Sequence, residues 1–346
     1  MVEYLSGERI QGSSTLTSSP PQTSWKELDR VTLTSAGDTL DTGTFTAKDN
    51  IMILENKIPT GSCRSKYQFN ADTGDNYAQR YNDNGGTDGT FTSDPVIYAY
   101  HSGGSAKSFS VHSIINNSSQ EKLLIGNIVE NGGDGSGNAP NRQELVGKWA
   151  NTSAQINRVK LFNDGSGSFD TGSELVVLGC NNDEADSGTN FWQELASVST
   201  SSSGSELSSG TFTAKKYLMF DAYMVGSAAQ PRSVLRFNGS TASDYSARYS
   251  NNGGSDGNDT DTDEIYLSES DQEYGSFTKG FIVNKSDQEK LVIAHNGNAQ
   301  NGAGNAPNRF EVVGKWDKTD QTITSIQLRT HANTFSYAFL KVWGAD

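Results

Sequence analysis

Apolar and polar residues alternate along this chain in short runs, and turn residues separate the runs. Arg30-Val-Thr-Leu-Thr34 alternates with β-branched side chains, the signature of a half-buried strand. Thr44-Phe-Thr46, Ile51-Met-Ile-Leu54, Lys66-Tyr-Gln-Phe69 and Tyr77-Ala-Gln-Arg-Tyr81 follow. Beyond Asn82-Asp-Asn-Gly-Gly-Thr-Asp88 come Val96–Tyr100, then 108–115, where Phe109, Val111, Ser113 and Ile115 share one face. Leu123-Leu-Ile125, Glu144-Leu-Val146, 156–162 and 175–178 complete the series. No window carries apolar residues at helical spacing over three turns. The pattern predicts an all-β protein of nine or ten short strands per unit, arranged as an antiparallel, jelly-roll-like β-sandwich.

The series then repeats. Gly137-Asn-Ala-Pro-Asn-Arg142 and Val146-Gly-Lys-Trp149 return as Gly304–Arg309 and Val313–Trp316. Trp25-Lys-Glu-Leu28 returns as Trp192-Gln-Glu-Leu195, Gly43–Lys48 as Gly210–Lys215, and Gln120–Leu123 as Gln288–Leu291. A period this long marks domain duplication. The expected organisation is an arm over residues 1–24 and two tandem sandwiches, 25–186 and 187–346. The arm is Ser/Thr/Pro-rich and builds no core. Tyr4, Leu5 and Ile10 give it something to bury against a neighbouring subunit.

Composition narrows the function classes. The formal charge is -14, which repels nucleic acid phosphates. No apolar run is long enough to cross a membrane, and Met1-Val-Glu-Tyr-Leu-Ser6 lacks the basic and apolar regions of a signal peptide. Cys63 and Cys180 have no cysteine counterparts in the second repeat. They read as two thiols or as one disulfide of the first domain.

Chemistry is sparse. His101, His112, His295 and His331 stand in no metal-ligand spacing. Glu144 and Glu311, just after the shared Asn-Arg, read as single structural carboxylates. Gly132–Gly137 reads as a surface loop. Asp256, Asp259, Asp261, Asp263 and Glu264 crowd into nine residues and form a candidate Ca2+ loop, or else a solvated acidic one. The Gly-Asn-Ala-Pro-Asn-Arg element reads as a fixed turn pinned by arginine. It also reads as a sugar site, with Asn141, Arg142, Asn308 and Arg309 binding hydroxyls and Trp149 and Trp316 stacking on pyranose faces.

These motifs carry a resemblance. Tyr4–Gly12, Arg236-Phe-Asn-Gly239, Tyr-x-x-Arg-Tyr (77–81 and 245–249), the two Gly-Asn-Ala-Pro-Asn-Arg elements and Gly172–Gly179 together resemble a domain of virion structural proteins from marine viruses and phages. The second copy departs at Phe335–Leu340, which replaces Gly-Ser-Glu-Leu. The resemblance implies a capsid, decoration-layer or tail-appendage component located in the virion, with no catalytic residues. Its partners would be copies of itself and other virion proteins. The alternative is a carbohydrate-binding adhesin for a host-surface glycan.

Overall fold

The computed structural model describes residues 25–99, 104–182, 190–227, 232–268 and 274–346. The expected arm, 1–24, and His101 lie outside them. The described residues form 24 strands and no helix. The first domain holds β1 (Lys26–Thr32), β2 (Thr39–Asp41), β3 (Asn50–Lys57), β4 (Ser65–Phe69), β5 (Tyr77–Asp83), β6 (Gly89–Asp94), β7 (Ile97–Tyr98), β8 (Ser108–Ile115), β9 (Lys122–Glu130), β10 (Asn141–Trp149), β11 (Val159–Asn163) and β12 (Glu174–Cys180). The second holds β13 (Gln193–Thr200), β14 (Glu206–Ser208), β15 (Tyr217–Gly226), β16 (Ser233–Phe237), β17 (Tyr245–Asn251), β18 (Gly257–Thr262), β19 (Ile265–Tyr266), β20 (Gly275–Val283), β21 (Lys290–Asn298), β22 (Asn308–Trp316), β23 (Ile326–Thr330) and β24 (Phe335–Ala345).

Each domain is an antiparallel sandwich of one large and one small sheet. The order β1-β12-β3-β8-β9-β10-β5-β6 over β2-β11-β4-β7 recurs as β13-β24-β15-β20-β21-β22-β17-β18 over β14-β23-β16-β19. Two tandem β-sandwiches from one duplication are therefore present. Each has twelve strands rather than nine or ten. The extra ones are short, such as β2 and β7, or polar, such as β6, and give little hydrophobic signal. Cys63 and Cys180 are not joined in a disulfide.

The large sheets are buried on both faces over part of their area. Along β3, Ile51 and Ile53 turn into the first sandwich with Leu175 and Val177. Met52 and Leu54 turn outward with Val176 and Leu178. There they meet Tyr217, Met219, Val283, Ile293 and Trp343 of the second domain in a third core between the sandwiches. Two-faced burial is why Ile51–Leu54 is a continuous apolar run rather than an alternating one. Each such side chain contributes about 1.5–3 kcal/mol when fully buried.

Inside each sandwich the repeated aromatic residues make equivalent contacts. Trp149 stacks on Tyr77 at 6.4 Å and Trp316 on Tyr245 at 6.2 Å. The Tyr77 and Tyr245 hydroxyls accept the backbone N–H of Phe69 and Phe237, each at 2.9 Å. The first tyrosine of the shared Tyr-x-x-Arg-Tyr motif is thus a core anchor with a satisfied hydroxyl.

Candidate functional site

The expected sugar site does not form. Trp149 and Trp316 are each 1% exposed, so neither ring can stack on a pyranose. Asn141 donates to Glu130 Oε2 at 2.9 Å, and Asn84 and Asn252 donate to the side-chain oxygens of Asn141 and Asn308, each at 3.2 Å. The backbone N–H groups of Arg142 and Arg309 donate to the same two residues, Asn84 Oδ1 and Asn252 Oδ1, each at 2.8 Å. The motif is a turn whose backbone clamp, through Asn84 or Asn252, recurs in both repeats.

The expected Ca2+ loop does not converge either. The Asp256 carboxylate receives Arg142 Nη2 at 2.7 Å and Nε at 3.2 Å. Asp261 accepts the Ser136 hydroxyl at 2.8 Å. Asp263 pairs with Arg236, while Glu264 takes Arg236, Arg329 and His331. Asp259 stands half-buried, and burial raises its carboxyl above the usual range. Calcium needs six to eight oxygens aimed at one point. Here four of the five carboxylates are committed to protein partners rather than aimed at one point.

What the fold does assemble is an interdomain seam. Asn127 and Glu144 are cross-strand neighbours on β9 and β10, and their equivalents His295 and Glu311 are neighbours on β21 and β22. These two pairs face each other. His295 Nε2 meets Asn127 Oδ1 at 3.1 Å. One donor atom each from Glu144, His295 and Glu311 lies within 4.8 Å of the others. Arg142 Nη1 bonds Glu144 at 2.6 Å and Glu311 at 3.3 Å. Burial, and then Glu144, push the Glu311 carboxyl above its usual range. Partial loss of hydration in the cleft, opposed by Glu144 and reinforced by Arg142 and Arg309, holds His295 below its usual pKa.

A cleft of about 610 Å³ opens from this seam between the two large sheets. Its walls are Val111, Ile125 and Val146 on one side and Phe281 and Ile293 on the other, with Arg80 and Lys279 as polar groups. The opposite end of the interface is clasped. Lys315 Nζ donates to the carbonyls of Asn131 and Gly133 at 2.9 and 2.6 Å. Glu289 accepts from Asn131 Nδ2 at 2.8 Å and from Gly135 N–H at 2.5 Å. The glycine-rich loop expected at the surface does expose Gly132, Asp134 and Gly137, and it also serves as an interdomain clasp. Its close turns need Gly132 and Gly135, at φ of 67° and 84°. The clasp is one-sided, because the equivalent residues 301–307 of the second domain are exposed.

One-sidedness leaves a patch uncovered. Ile115 and Leu123 are cross-strand partners, as are Ile125 and Val146. They are 58%, 57%, 60% and 52% exposed. Their equivalents Val283, Leu291, Ile293 and Val313 are at most 2% exposed, buried against the first domain.

Neither the seam nor the patch is visible as a local motif. Glu144, His295 and Glu311 are far apart in sequence. The available signal was that Glu144 and Glu311 each follow the shared Asn-Arg by two residues. No family model matches the chain, and no curated protein matches it. Among solved structures, domains LG4-5 of the mouse laminin alpha1 chain align over 90% of this chain and 87% of that one, at 8% identity and a TM-score of 0.20. A likeness that weak carries no argument about this chain. Among the described residues, no helix is long and apolar enough to cross a membrane.

Proposed function

We propose that this protein is a non-enzymatic structural component of a virion, in a capsid, decoration layer or tail appendage. It assembles through the open half of the first domain's large sheet, and the partner is a second copy of the chain. The observation that carries this reading is the Ile115–Leu123–Ile125–Val146 patch. The same positions in the second repeat are already a working interface, buried against a sandwich face. Four adjacent large aliphatic side chains, each more than half exposed, mark an interaction surface rather than scattered surface apolarity. Light scattering coupled to size-exclusion chromatography tests it. The wild type should be a discrete oligomer and Ile125→Asp a monomer. A monomeric wild type, or an oligomer indifferent to Ile125→Asp, overturns the reading. Deleting residues 1–24 tests separately whether the arm contributes to assembly.

A second reading, a glycan-binding adhesin, rests on the second domain. Tyr223, Phe277 and Tyr337 expose 36%, 48% and 39% of their surface. Tyr223 is the cross-strand partner of Phe277 and lies 6.1 Å from Tyr337 between ring centroids. Such a platform suits stacking on sugar rings. A glycan array with wild type and Tyr223→Ala tests it, and no binding by the wild type removes it.

A further inference from the structure

We infer that Glu144, His295 and Glu311 form a divalent transition-metal site, with Zn2+ as the ion the donor set fits, which ties the two domains together at the seam. The three donor atoms lie within 4.8 Å of one another and come from strands of both domains. Donors around a tetrahedral zinc stand about 3.3 Å apart, from metal–ligand distances near 2.0 Å, so closing the set takes only side-chain movement. One imidazole and two carboxylates select a transition metal over Ca2+ or Mg2+, which want oxygen alone.

The surroundings are arranged for ligation. Asn127 Oδ1 accepts a hydrogen bond from Nε2 of His295, so Nε2 carries the proton and Nδ1 keeps its lone pair. An outer partner that fixes the tautomer and the ring direction is what a ligating histidine requires. Glu311 is buried, Glu144 half-buried and His295 exposed. An ion can therefore enter from the cleft, and a fourth position stays open to water. Arg142 is the resident counter-charge. Its Nη1 bonds both carboxylates, while Nε and Nη2 hold Asp256. The ion replaces only the Nη1 bonds, and Arg142 stays anchored on Asp256.

The test is calorimetric titration of the chelator-treated full chain with ZnCl2, and in parallel with CaCl2 and MgCl2. The expected result is one Zn2+ per chain and affinities for Ca2+ and Mg2+ at least a hundredfold weaker. Affinity should fall at least tenfold in Glu144→Gln and in His295→Gln, and stay unchanged in His331→Gln, which removes the His331–Glu264 pair elsewhere on the second domain. Thermal unfolding without metal verifies that each variant is folded. His295 is exposed and Glu144 half-buried, so the expected result is that both glutamine variants unfold cooperatively like the wild type. Zinc should also raise the unfolding temperature of the wild type but not of His295→Gln. No saturable zinc binding by the wild type, or equal affinity in folded His295→Gln, overturns the site.

Discussion

The two domains share every strand and the same strand order, yet their interiors differ at one end. The first domain buries Glu55, Lys57, Tyr67, Ser110 and His112, where the second carries Ala222, Met224, Leu235, Thr278 and Gly280. In the first, the Tyr67 and Ser110 hydroxyls donate to Glu55 Oε2 at 2.8 and 3.1 Å, and His112 Nε2 meets Ser110 Oγ at 3.0 Å. In the second, Ala222, Met224 and Leu235 replace the charged and tyrosine side chains with apolar volume, and Thr278 Oγ1 accepts a hydrogen bond from Asn296 Nδ2 at 2.6 Å. The exchange is compensated. A Cβ on Gly126 would stand 2.2 Å from His112 Nδ1, and its equivalent is Ala294. A Cβ on Gly280, the equivalent of His112, would stand 2.4 Å from the Phe220 ring, where the first domain has Ile53. A sandwich tolerates either a polar network or a ring at this depth, provided volume is conserved and the polar atoms find partners.

The outer faces diverge by the same logic. Arg142 is 6% exposed and bonds Asp256, Glu144 and Glu311, while the equivalent Arg309 is 60% exposed and, among the described residues, its guanidinium ion-pairs with Glu311 only. The sharpest way to break the comparison is to truncate both. Arg142→Ala leaves the Asp256 carboxylate, 1% exposed, without its cation, and should cost about 3–5 kcal/mol in chemical denaturation. Arg309→Ala should cost about 1 kcal/mol or less. Equal costs would mean that the seam contributes nothing.

The paired lysines come next. Lys315 caps two backbone carbonyls in the clasp and faces Glu289, whereas the equivalent Lys148 pairs with Glu121 in solvent. Lys315→Ala should cost about 2–3 kcal/mol and Lys148→Ala under about 1 kcal/mol, measured by the same unfolding curves.

The smallest contrast per pH unit is an acid response confined to the first domain. Burial pushes His112 down to about 3. Between its unfolded value near 6.5 and about 3, the unfolded chain binds this proton and the folded chain does not. The folded state therefore loses about 1.4 kcal/mol per pH unit as pH falls through that window, and nothing above it. Measured from pH 6.5 to 5, wild type should lose about 2 kcal/mol more than His112→Gln. Identical slopes would show that the imidazole is not held neutral.

Much of the fold was legible in the sequence. Period-two patterning placed the main strands, and the recurrence of Gly-Asn-Ala-Pro-Asn-Arg with Val-Gly-Lys-Trp revealed the duplication. The site was not legible, for two reasons. Trp149 and Trp316 looked like ligand platforms because an aromatic beside a conspicuous turn has the same composition whether it faces water or core. Asp256 looked like one of a set of calcium ligands because its cation, Arg142, lies in the other domain. The continuous run Ile51–Leu54 did hint at a sheet buried on both faces, but it does not say against what.

By itself the sequence determined the class of fold, the two copies and the strands that carry them. These follow from local alternation and turn chemistry, which each segment holds within a few residues. The tertiary structure alone decided which member of each equivalent pair is used: Arg142 and not Arg309, Lys315 and not Lys148, Ile293 and not Ile125. One local pattern met two environments, because the domains pack with a one-sided clasp. Burial, charge pairing and the convergence of Glu144, His295 and Glu311 depend on that relative placement.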